Sequence, residues 1–327
     1  MFKKNLFAIV YSVLLTAFTV YVLMDTFVIT RVYSTVPAVE AGPEAGSAAA
    51  DSDTTVADSY SAVAEAAVNA SASEQTGESP TSQPPVSTAT SYQDENITII
   101  LTEYREYDTS IYVADITLSS PEYLQTALAQ NAYGRNVTEK TSEMAVENGA
   151  ILAINGDYYG SQEKGYVLRN GVLYRDITER GQEDLVIYED GSFEIITEDE
   201  VTAQELLDRG AVQILSFGPA LVTGGDVSVT AGEEVGKARS SNPRTAIGVI
   251  DDLHYVFVVS DGRTDESDGL SLYELAEFMA GLGAETAYNL DGGGSSSMVF
   301  NGNVINNPTT SGNRIKERSV SDIVYIG

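Results

Sequence analysis

Three stretches of the chain carry the residue types of a catalytic or ligand-binding site, and in each an apolar run ends in polar residues and glycine. They are Ala153-Ile154-Asn155-Gly156-Asp157, Val258-Val259-Ser260-Asp261-Gly262-Arg263 and Tyr288-Asn289-Leu290-Asp291-Gly292-Gly293-Gly294-Ser295. Loops at strand ends are common ligand-binding positions, and glycine lets a backbone approach a ligand closely. The carboxylates of Asp157, Asp261 and Asp291 suit glycosyl transfer to water, in which carboxyl groups act as acid, base or nucleophile. The alternatives for these carboxylates are turn capping and the binding of a cation such as Ca²⁺.

Three arginines lie close to these stretches or to the last apolar run. Arg244 opens a predicted strand, Arg263 ends the second stretch, and Arg318 precedes the final predicted strand. The chain has 48 acidic and only 18 basic residues, so basic side chains beside polar loops indicate the capture of an anionic group. Arginine binds phosphate through two parallel hydrogen bonds. For each arginine taken singly, the alternative is a surface ion pair.

The glycine-rich stretch has two interpretations when it is considered alone. The N–H groups of Gly292 to Gly294 could bind an anion, or the segment could be a tight turn capped by Asp291. The serines from Ser295 to Ser297 suggest a serine hydrolase, but a nucleophilic serine needs a general base, usually histidine. The one histidine of the chain, His254, stands at the start of a predicted strand, and we interpret it as structural. We therefore reject a Ser-His-Asp triad.

Composition excludes several further classes. The chain has 327 residues, of which 43% are hydrophobic, so a sizeable core can be buried. It has no cysteine, which excludes disulfides, thiolate zinc sites and a cysteine nucleophile. The formal net charge of −30 argues against nucleic acid as a partner, because phosphate contacts need clustered lysine and arginine.

The elements that must position these residues are short strands with a few helices. Asn170-Gly171 and Asp190-Gly191 each stand between two strand-like runs, which predicts two hairpins. Capping boxes at Thr202 and Ser271 each predict the start of a helix. Two further helices are predicted over residues 121–130 and 138–148. The fold class that follows is α+β, with a mixed, mainly antiparallel sheet, hairpins and a few packed helices.

The N-terminus differs from the rest of the chain. Lys3 and Lys4 precede an apolar run from Leu6 to Ile29, which is long enough to span a bilayer. We predict a single-pass membrane anchor over residues 1–35, with a cleaved signal peptide as the alternative. Lysines before the run place the N-terminus in the cytoplasm and the remainder outside the cell membrane. Residues 36–95 are rich in Ala, Ser, Thr, Glu, Pro and Gly, which predicts a flexible stalk, and residues 96–327 form the predicted catalytic domain.

The order of the motifs resembles a known family, the phosphodiester glycosidases. The resemblance rests on Asn155-Gly156-Asp157-Tyr158-Tyr159, Asn242-Pro243-Arg244-Thr245-Ala246-Ile247-Gly248, Asp261-Gly262-Arg263, the helix after Ser271, Asn289-Leu290-Asp291-Gly292-Gly293-Gly294-Ser295-Ser296 and Glu317-Arg318-Ser319-Val320. It covers roughly residues 96–327, and the ordered set is far more specific than any single motif. Ser319 is a departure, because related domains often have proline after the arginine.

The resemblance implies hydrolysis of the glycosidic C1–O bond of a sugar-1-phosphodiester, with a phosphorylated glycan or envelope polymer as substrate. It implies a catalytic role for Asp157, Asp261 and Asp291, and it implies that the substrate or phosphate is bound by Asn155, Arg244, Arg263, Asn289, Gly292, Gly293, Gly294, Ser295 and Arg318. As hypotheses, Asp291 stabilises or attacks the sugar C1 and Asp261 activates water. The sequence establishes no cofactor, and Ca²⁺ remains an open alternative. Other functions stay open: a non-catalytic module that binds phosphorylated cell-surface glycans, a structural envelope protein whose loops are only turns, and an accessory protein of exopolysaccharide assembly.

Overall fold

The structure, a computed structural model, describes residues 2–35, 84–234, 241–310 and 314–327. Most of the predicted stalk, residues 36–83, lies outside the described residues. The described part contains four α-helices: α1 Phe2–Phe27, α2 Thr141–Glu147, α3 Ala203–Asp208 and α4 Leu272–Gly281. Complete capping boxes begin α3 at Thr202 and α4 at Ser271, as the sequence predicts.

Short β-strands are the main secondary structure of the described residues. The strands of the first half are β1 Arg31–Thr35, β2 Val86–Ser87, β3 Ser91–Gln93, β4 Ile97–Glu106, β5 Thr109–Leu118, β6 Leu124–Leu128, β7 Ala132–Arg135, β8 Glu139–Lys140, β9 Leu152–Asn155, β10 Gly165–Arg169 and β11 Val172–Ile177. The strands of the second half are β12 Glu183–Tyr188, β13 Phe193–Thr197, β14 Ala211–Leu215, β15 Ala220–Thr223, β16 Asp226–Val227, β17 Arg244–Asp251, β18 His254–Ser260, β19 Thr286–Leu290, β20 Met298–Phe300, β21 Asn303–Val304, β22 Ser319–Val320 and β23 Asp322–Ile326. They form three larger sheets and two small ribbons.

The largest sheet has nine strands in the order β16-β15-β19-β17-β18-β5-β4-β3-β2. Its long hairpins β4–β5 and β17–β18 are antiparallel, and β18 pairs with β5 over seven residues. Helix α4 packs against β15, β16 and β19, and its apolar side, including Leu275 and Met279, is fully buried there. The sheet therefore has one face under the helix and the other towards the main core.

Two five-stranded sheets complete the architecture, with the orders β21-β20-β9-β23-β6 and β11-β10-β14-β12-β13. The main core joins all three sheets: it contains Phe257 from the nine-stranded sheet, Ile154 and Val324 from the second, and Leu185 and Leu215 from the third. Apolar side chains from facing sheets thus bury one another, which is the main stabilising contribution in such a fold. The predicted α+β class with mainly antiparallel sheets is confirmed.

One predicted helix is wrong. Residues 121–130 form a single 3₁₀ turn, Pro121–Tyr123, followed by strand β6. The sequence Leu124–Leu128 has good helix formers, but β6 pairs with β23 over its whole length. The ladder with the last strand of the chain outweighs the local helix propensity, which is only a weak preference. The predicted hairpins, in contrast, are β10–β11 and β12–β13.

The folded part also begins earlier than the boundary at residue 96 implies. Strands β2 and β3 lie within the predicted stalk range, and β3 pairs with β4 in the nine-stranded sheet. Strand β1, directly after helix α1, pairs with β7. The division of the remaining residues into anchor, stalk and domain stays a prediction.

Candidate active site

Strand pairing brings the ends of several strands together at one edge of the core. Arg244, the first residue of β17, is opposite Ser260, the last residue of β18. On its other side β17 pairs with β19, which leads into Asp291 and the glycines. The backbone N–H of Asp291 donates to the carbonyl of Gly156 (3.2 Å), so the end of β9 meets the end of β19 across two sheets. The three stretches that the sequence singles out therefore converge.

Asn155 holds these loops together. Its side-chain amide donates to the Asp291 carbonyl (2.7 Å), and its Oδ1 accepts from the Thr245 hydroxyl (2.9 Å) and the Ser297 N–H (3.2 Å). The side chain is fully buried. Asn289, also fully buried, donates to the Gly218 carbonyl (2.7 Å), while its Oδ1 has no hydrogen-bond partner among the described residues. The side-chain amides of Asn155 and Asn289, both predicted to bind ligand, thus donate to backbone carbonyls of neighbouring loops and do not point into solvent.

Asp291 is the one predicted catalytic carboxylate that is partly exposed. Its Oδ2 accepts a hydrogen bond from the Ser295 hydroxyl (2.6 Å). Burial among the converging loops raises the pKa of Asp291, the Ser295 hydroxyl and the positive charge of Arg318 oppose that rise, and the negative charge of Asp157 adds to it. A carboxylate that is desolvated but still reachable is a suitable nucleophile, base or electrostatic stabiliser.

Two arginines lie against the glycine loop that follows Asp291. Gly293 has a φ of +63°, and a Cβ added there would lie 2.7 Å from an Nη atom of Arg263. A Cβ at Gly294 would lie 3.3 Å from Cδ of Arg318, and one at Gly292 would lie 3.0 Å from the Pro243 carbonyl. Only glycine leaves room for these approaches, and at Gly293 only glycine adopts the backbone without strain.

The predicted anion cradle of backbone N–H groups is only partly available. The N–H of Gly293 donates to the Pro243 carbonyl (2.7 Å), and those of Ser295 and Ser296 donate to Gly292 and Gly293 within the turn. These three groups stabilise the loop itself. The capacity to bind an anion therefore rests mainly on the arginine side chains.

The three arginines differ in what they contact. Arg244 is almost fully buried, donates through Nε to the Leu270 carbonyl (2.9 Å) and forms an ion pair with Glu234 (2.5 Å). Arg263 has a φ of +64° and donates through Nε and Nη2 to the Asn242 side chain (3.2 and 2.9 Å). Arg318 is exposed. One exposed arginine and two whose guanidinium groups are held by protein acceptors thus surround the glycine loop.

Asp261 is not placed like Asp291. Four donors contact its carboxylate: the Asn307 N–H (2.7 Å) and Asn306 amide (3.3 Å) at Oδ1, and the Asn307 amide (2.9 Å) and Tyr112 hydroxyl (3.3 Å) at Oδ2. The side chain is 3% exposed. Asn306 also donates to the Ser296 carbonyl (3.1 Å). This saturated carboxylate fixes the loop after β21 against the glycine-rich segment, a geometry that favours a positioning role over the activation of water.

Asp157 belongs to a buried ionic cluster that sequence reasoning missed. Its Oδ2 accepts from Nη2 of Arg169 (2.7 Å) and the Ser216 N–H (3.0 Å), and its Oδ1 accepts from the Tyr159 N–H (2.8 Å). The same guanidinium donates through Nε (2.8 Å) and Nη2 (2.6 Å) to Oδ2 of Asp322. Arg169 lies between two carboxylates, and all three side chains are at most 2% exposed.

The carboxyl group of Asp322 stays protonated at a higher pH than that of an ordinary aspartate. Burial and, after it, the nearby negative charge of Asp157 raise the pKa of Asp322, Arg169 opposes both, and the resulting pKa is about 8. Its Oδ1 is buried and has no hydrogen-bond partner among the described residues. The only signal in the sequence was an acidic residue opening an apolar strand, and 153 positions separate it from Arg169. Nothing local in the sequence indicates that the two meet.

The structure also adds an aromatic side chain to the site. Tyr158 is half-buried and packs edge-on against Phe217, with ring centroids 4.9 Å apart. Burial raises the pKa of Tyr158, and the negative charge of Asp291 contributes to the rise, which places the hydroxyl within the electrostatic reach of that carboxylate.

The described residues contain no preformed set of ligands for a metal ion. Among the described residues no group of three or more His, Asp or Glu side chains is arranged to hold a metal ion. The three predicted carboxylates contact instead Arg169, the Ser295 hydroxyl and the amides around Asp261.

Comparison with known proteins gives a family match over the second half of the chain. The family model of the phosphodiester glycosidases matches residues 148–327. The chain is 31% identical over 180 residues to the SPbeta prophage-derived uncharacterized protein YomE of Bacillus subtilis, a match that covers 54% of this chain and 28% of that protein. It is 28% identical over 184 residues to the N-acetylglucosamine-1-phosphodiester alpha-N-acetylglucosaminidase of Mus musculus, covering 51% of this chain and 35% of that enzyme. The matches thus span about a third of the length of these relatives.

Two solved structures share the fold. The catalytic domain of zebrafish N-acetylglucosamine-1-phosphodiester alpha-N-acetylglucosaminidase, auto-inhibited by its pro-peptide, superposes with a TM-score of 0.56 at 21% identity, covering 70% of this chain and 82% of that one. A hypothetical protein from Synechocystis superposes with a TM-score of 0.52 at 15% identity, covering 71% and 62%. With the family model matched over more than half of its residues, the chain belongs to the phosphodiester glycosidase family.

Proposed function

We propose that the protein is a hydrolase that cleaves the glycosidic C1–O bond of a sugar-1-phosphodiester and releases a sugar and a phosphomonoester. The observation that carries the proposal is the pairing of Asp291, a desolvated but partly exposed carboxylate, with arginines drawn close by the glycine loop. The carboxylate suits a sugar C1 that becomes positively charged, and the arginines suit the departing phosphate.

The leaving group explains why one accessible carboxylate is enough. Glycosidases that expel an alcohol use a second carboxyl group as a general acid. A phosphomonoester leaves as a stabilised anion and needs little protonation. Asp291 can then act on the C1 side, either as a nucleophile or by activating water, while Arg263 and Arg318 stabilise the phosphate charge. Asp157 and Asp261 support this site by positioning the loops on either side of it.

The membrane part of the proposal rests on helix α1. Its apolar window Val10–Phe27 has a mean hydropathy of 1.6, and no residue in it is buried within the protein. A helix of 26 residues is about 39 Å long, which exceeds the ~30 Å hydrocarbon core of a bilayer. We propose that α1 anchors the protein in the cell membrane with Lys3 and Lys4 in the cytoplasm and the domain outside.

A synthetic sugar-1-phosphodiester tests the activity. The purified full-length protein in detergent is incubated with the methyl phosphodiester of N-acetyl-α-glucosamine-1-phosphate, a sugar suggested by the relatives, and other hexoses replace it in parallel. Hydrolysis at C1–O in ¹⁸O-labelled water places the label in the sugar and leaves methyl phosphate unlabelled. Label in the phosphate would mean P–O cleavage and would contradict the proposal. Tight binding of every diester without turnover would favour the glycan-binding module instead.

A further inference from the structure

The segment directly after the predicted membrane helix is built into the folded domain. Strand β1 pairs with β7 in antiparallel register, from Arg31 opposite Arg135 to Thr35 opposite Ala132. Only residues 28–30 separate β1 from the end of helix α1. The membrane exit and the edge of the domain are thus joined by a very short connection.

The domain surface is shaped to receive this strand. The β7 residue opposite Val32 is Gly134, and a Cβ added there would lie 2.1 Å from the Arg31 carbonyl oxygen. Its backbone φ is not in the left-handed region, so glycine is required here by the approach of β1 and by the neighbouring Val137 rather than by its own conformation. The Tyr33 ring packs on Tyr133, with centroids 5.8 Å apart.

A side chain at the end of β7 also contacts the end of the helix. The Asn136 amide donates to the carbonyls of Thr26 (3.2 Å) and Ile29 (3.1 Å), and the Thr30 hydroxyl donates to the Asn136 carbonyl (3.4 Å). The N–H of Asn136 donates to the Gly160 carbonyl (3.1 Å), close to the loop that carries Asp157. These bonds connect the last turn of the helix to the domain.

The length of the connection decides how far the domain can move from the membrane. Three extended residues reach at most about 10 Å. A flexible stalk of about 60 residues would give a root-mean-square separation of about 40–45 Å. With β1 docked, these three residues set the distance between the membrane and the domain, because β1 pairs with the domain strand β7 before residues 36–95 begin.

Docking of β1 also completes a cavity against the loop that follows β9. The cavity has a volume of about 380 Å³, within the size range of ligand sites. Its lining includes Arg31 and Tyr33 from β1 together with Tyr133, Tyr159, Tyr174 and Gln162 from the domain. The Gln162 side chain also interacts with the Tyr158 hydroxyl, which lies in the field of Asp291. Tyrosine faces and amides suit the apolar faces and hydroxyls of sugar rings.

We propose that strand β1 holds the domain at the membrane surface and that the substrate is a sugar joined through phosphate to a lipid alcohol of the same membrane. This inference rests on the proposed function and on the anchoring role of α1. A lipid-phosphate-linked sugar is itself a sugar-1-phosphodiester, whose aglycone stays in the bilayer. Water adds to C1, the C1–O bond breaks, and the bonding electrons leave with the lipid monophosphate. Further sugar units of such a glycan occupy the tyrosine-lined cavity.

The test uses the full-length protein in lipid nanodiscs and two esters of the same sugar phosphate. One is the polyprenyl ester, incorporated in the disc, and the other is the methyl ester in solution. The wild-type protein is expected to hydrolyse the polyprenyl ester at least tenfold faster at equal concentration. Val32→Pro, which prevents pairing of β1 without altering any domain residue, is expected to lose that preference and keep its rate on the methyl ester. Val32→Thr retains strand propensity and serves as the matched control.

A distance measurement tests the docking independently. Because the chain has no cysteine, Val172→Cys on the exposed side of β11 gives a single labelling site for energy transfer to a lipid acceptor. Val32→Pro and Asn136→Gly, which keeps the positive φ of Asn136, should both lower the transfer efficiency. Unchanged transfer, or equal rates on the two esters, would overturn the inference while the proposed hydrolysis stands. No hydrolysis of either ester would overturn the proposed function itself.

Discussion

Replacing Arg169 by methionine is expected to destabilise the protein strongly and in a pH-dependent manner. The substitution removes the guanidinium that lies between Asp157 and Asp322, together with its hydrogen bonds to both carboxylates and to the Leu168 and Ile214 carbonyls. Breaking a buried ion pair by removal of one partner costs about 3–5 kcal/mol. That is about a fifth or more of the free energy of unfolding of an ordinary domain, which is about 5–15 kcal/mol.

The pH dependence follows from Asp322. Its pKa in the folded protein is about 8, above the value of 3.8 for an unperturbed aspartate, so its contribution to stability falls as the pH rises between these values. In the wild-type protein the fall ends near the folded pKa. Without Arg169 the folded pKa rises further, and stability continues to fall above pH 8. By linkage, each tenfold tightening of proton binding to Asp322 in the folded protein adds up to about 1.4 kcal/mol to the loss of stability at high pH.

Urea unfolding in mild detergent at pH 7 and 9.5, followed by far-ultraviolet circular dichroism, measures both numbers. The control is Arg209→Met, which removes an exposed ion pair with Glu194 and should cost less than about 1 kcal/mol at either pH. A second variant, Asp322→Asn in the Arg169→Met background, should remove most of the additional loss at pH 9.5. If the Arg169→Met protein loses less than about 1 kcal/mol, the buried ion pairs of Arg169 do not stabilise the fold. If it loses the same amount at both pH values, Arg169 does not control the pKa of Asp322.

Three further variants test the active site. Asp291→Asn should reduce the rate of diester hydrolysis by a factor of about 10²–10⁴ with unchanged unfolding, whereas the exposed Asp226→Asn should leave the rate unaltered; full activity of the former contradicts its assignment. Arg318→Ala removes a charge that lowers the pKa of Asp291, so the acidic limb of the pH–rate profile should move to higher pH, and a shift to lower pH would refute an ionised Asp291. Gly293→Ala should displace Arg263, because the new Cβ would lie 2.7 Å from Nη2 at a φ of +63°; unchanged KM and kcat would show that this approach is unimportant.

Local features of the fold could be predicted well because their physical causes are local. The Asn170-Gly171 turn has both residues at positive φ, the conformation for which this pair is preferred in hairpins. The capping boxes at Thr202 and Ser271 need only residues three positions apart. Strand β6 was missed for the opposite reason. Its partner β23 follows almost 200 residues later, and no local pattern shows that the pairing exists.

The same distinction applies to the candidate site. Asn155 and Asp291 could be found because glycine, asparagine and aspartate after a strand are unusual enough to be noticed in sequence. Arg169 and Asp322 could not be found, since each looks like an ordinary strand residue until the sheets pack. The predicted role of Asp261 depended on whether its oxygens are free, and only the positions of the Asn306 and Asn307 side chains answer that question.

The three aspartates differ in how fully their carboxylates are already stabilised by protein groups. Asp157 has a permanent cationic partner in Arg169, and Asp261 accepts four hydrogen bonds. A positive charge on a substrate would therefore stabilise these two carboxylates little further. Asp291 has a single close hydroxyl donor, and burial raises its pKa. The attraction between this carboxylate and a positive charge developing at a sugar C1 would be strongest in the transition state. Interactions that strengthen in the transition state are the ones that accelerate a reaction. In the proposed reaction, Asp157 and Asp261 fix the loops, and Asp291 interacts with the substrate.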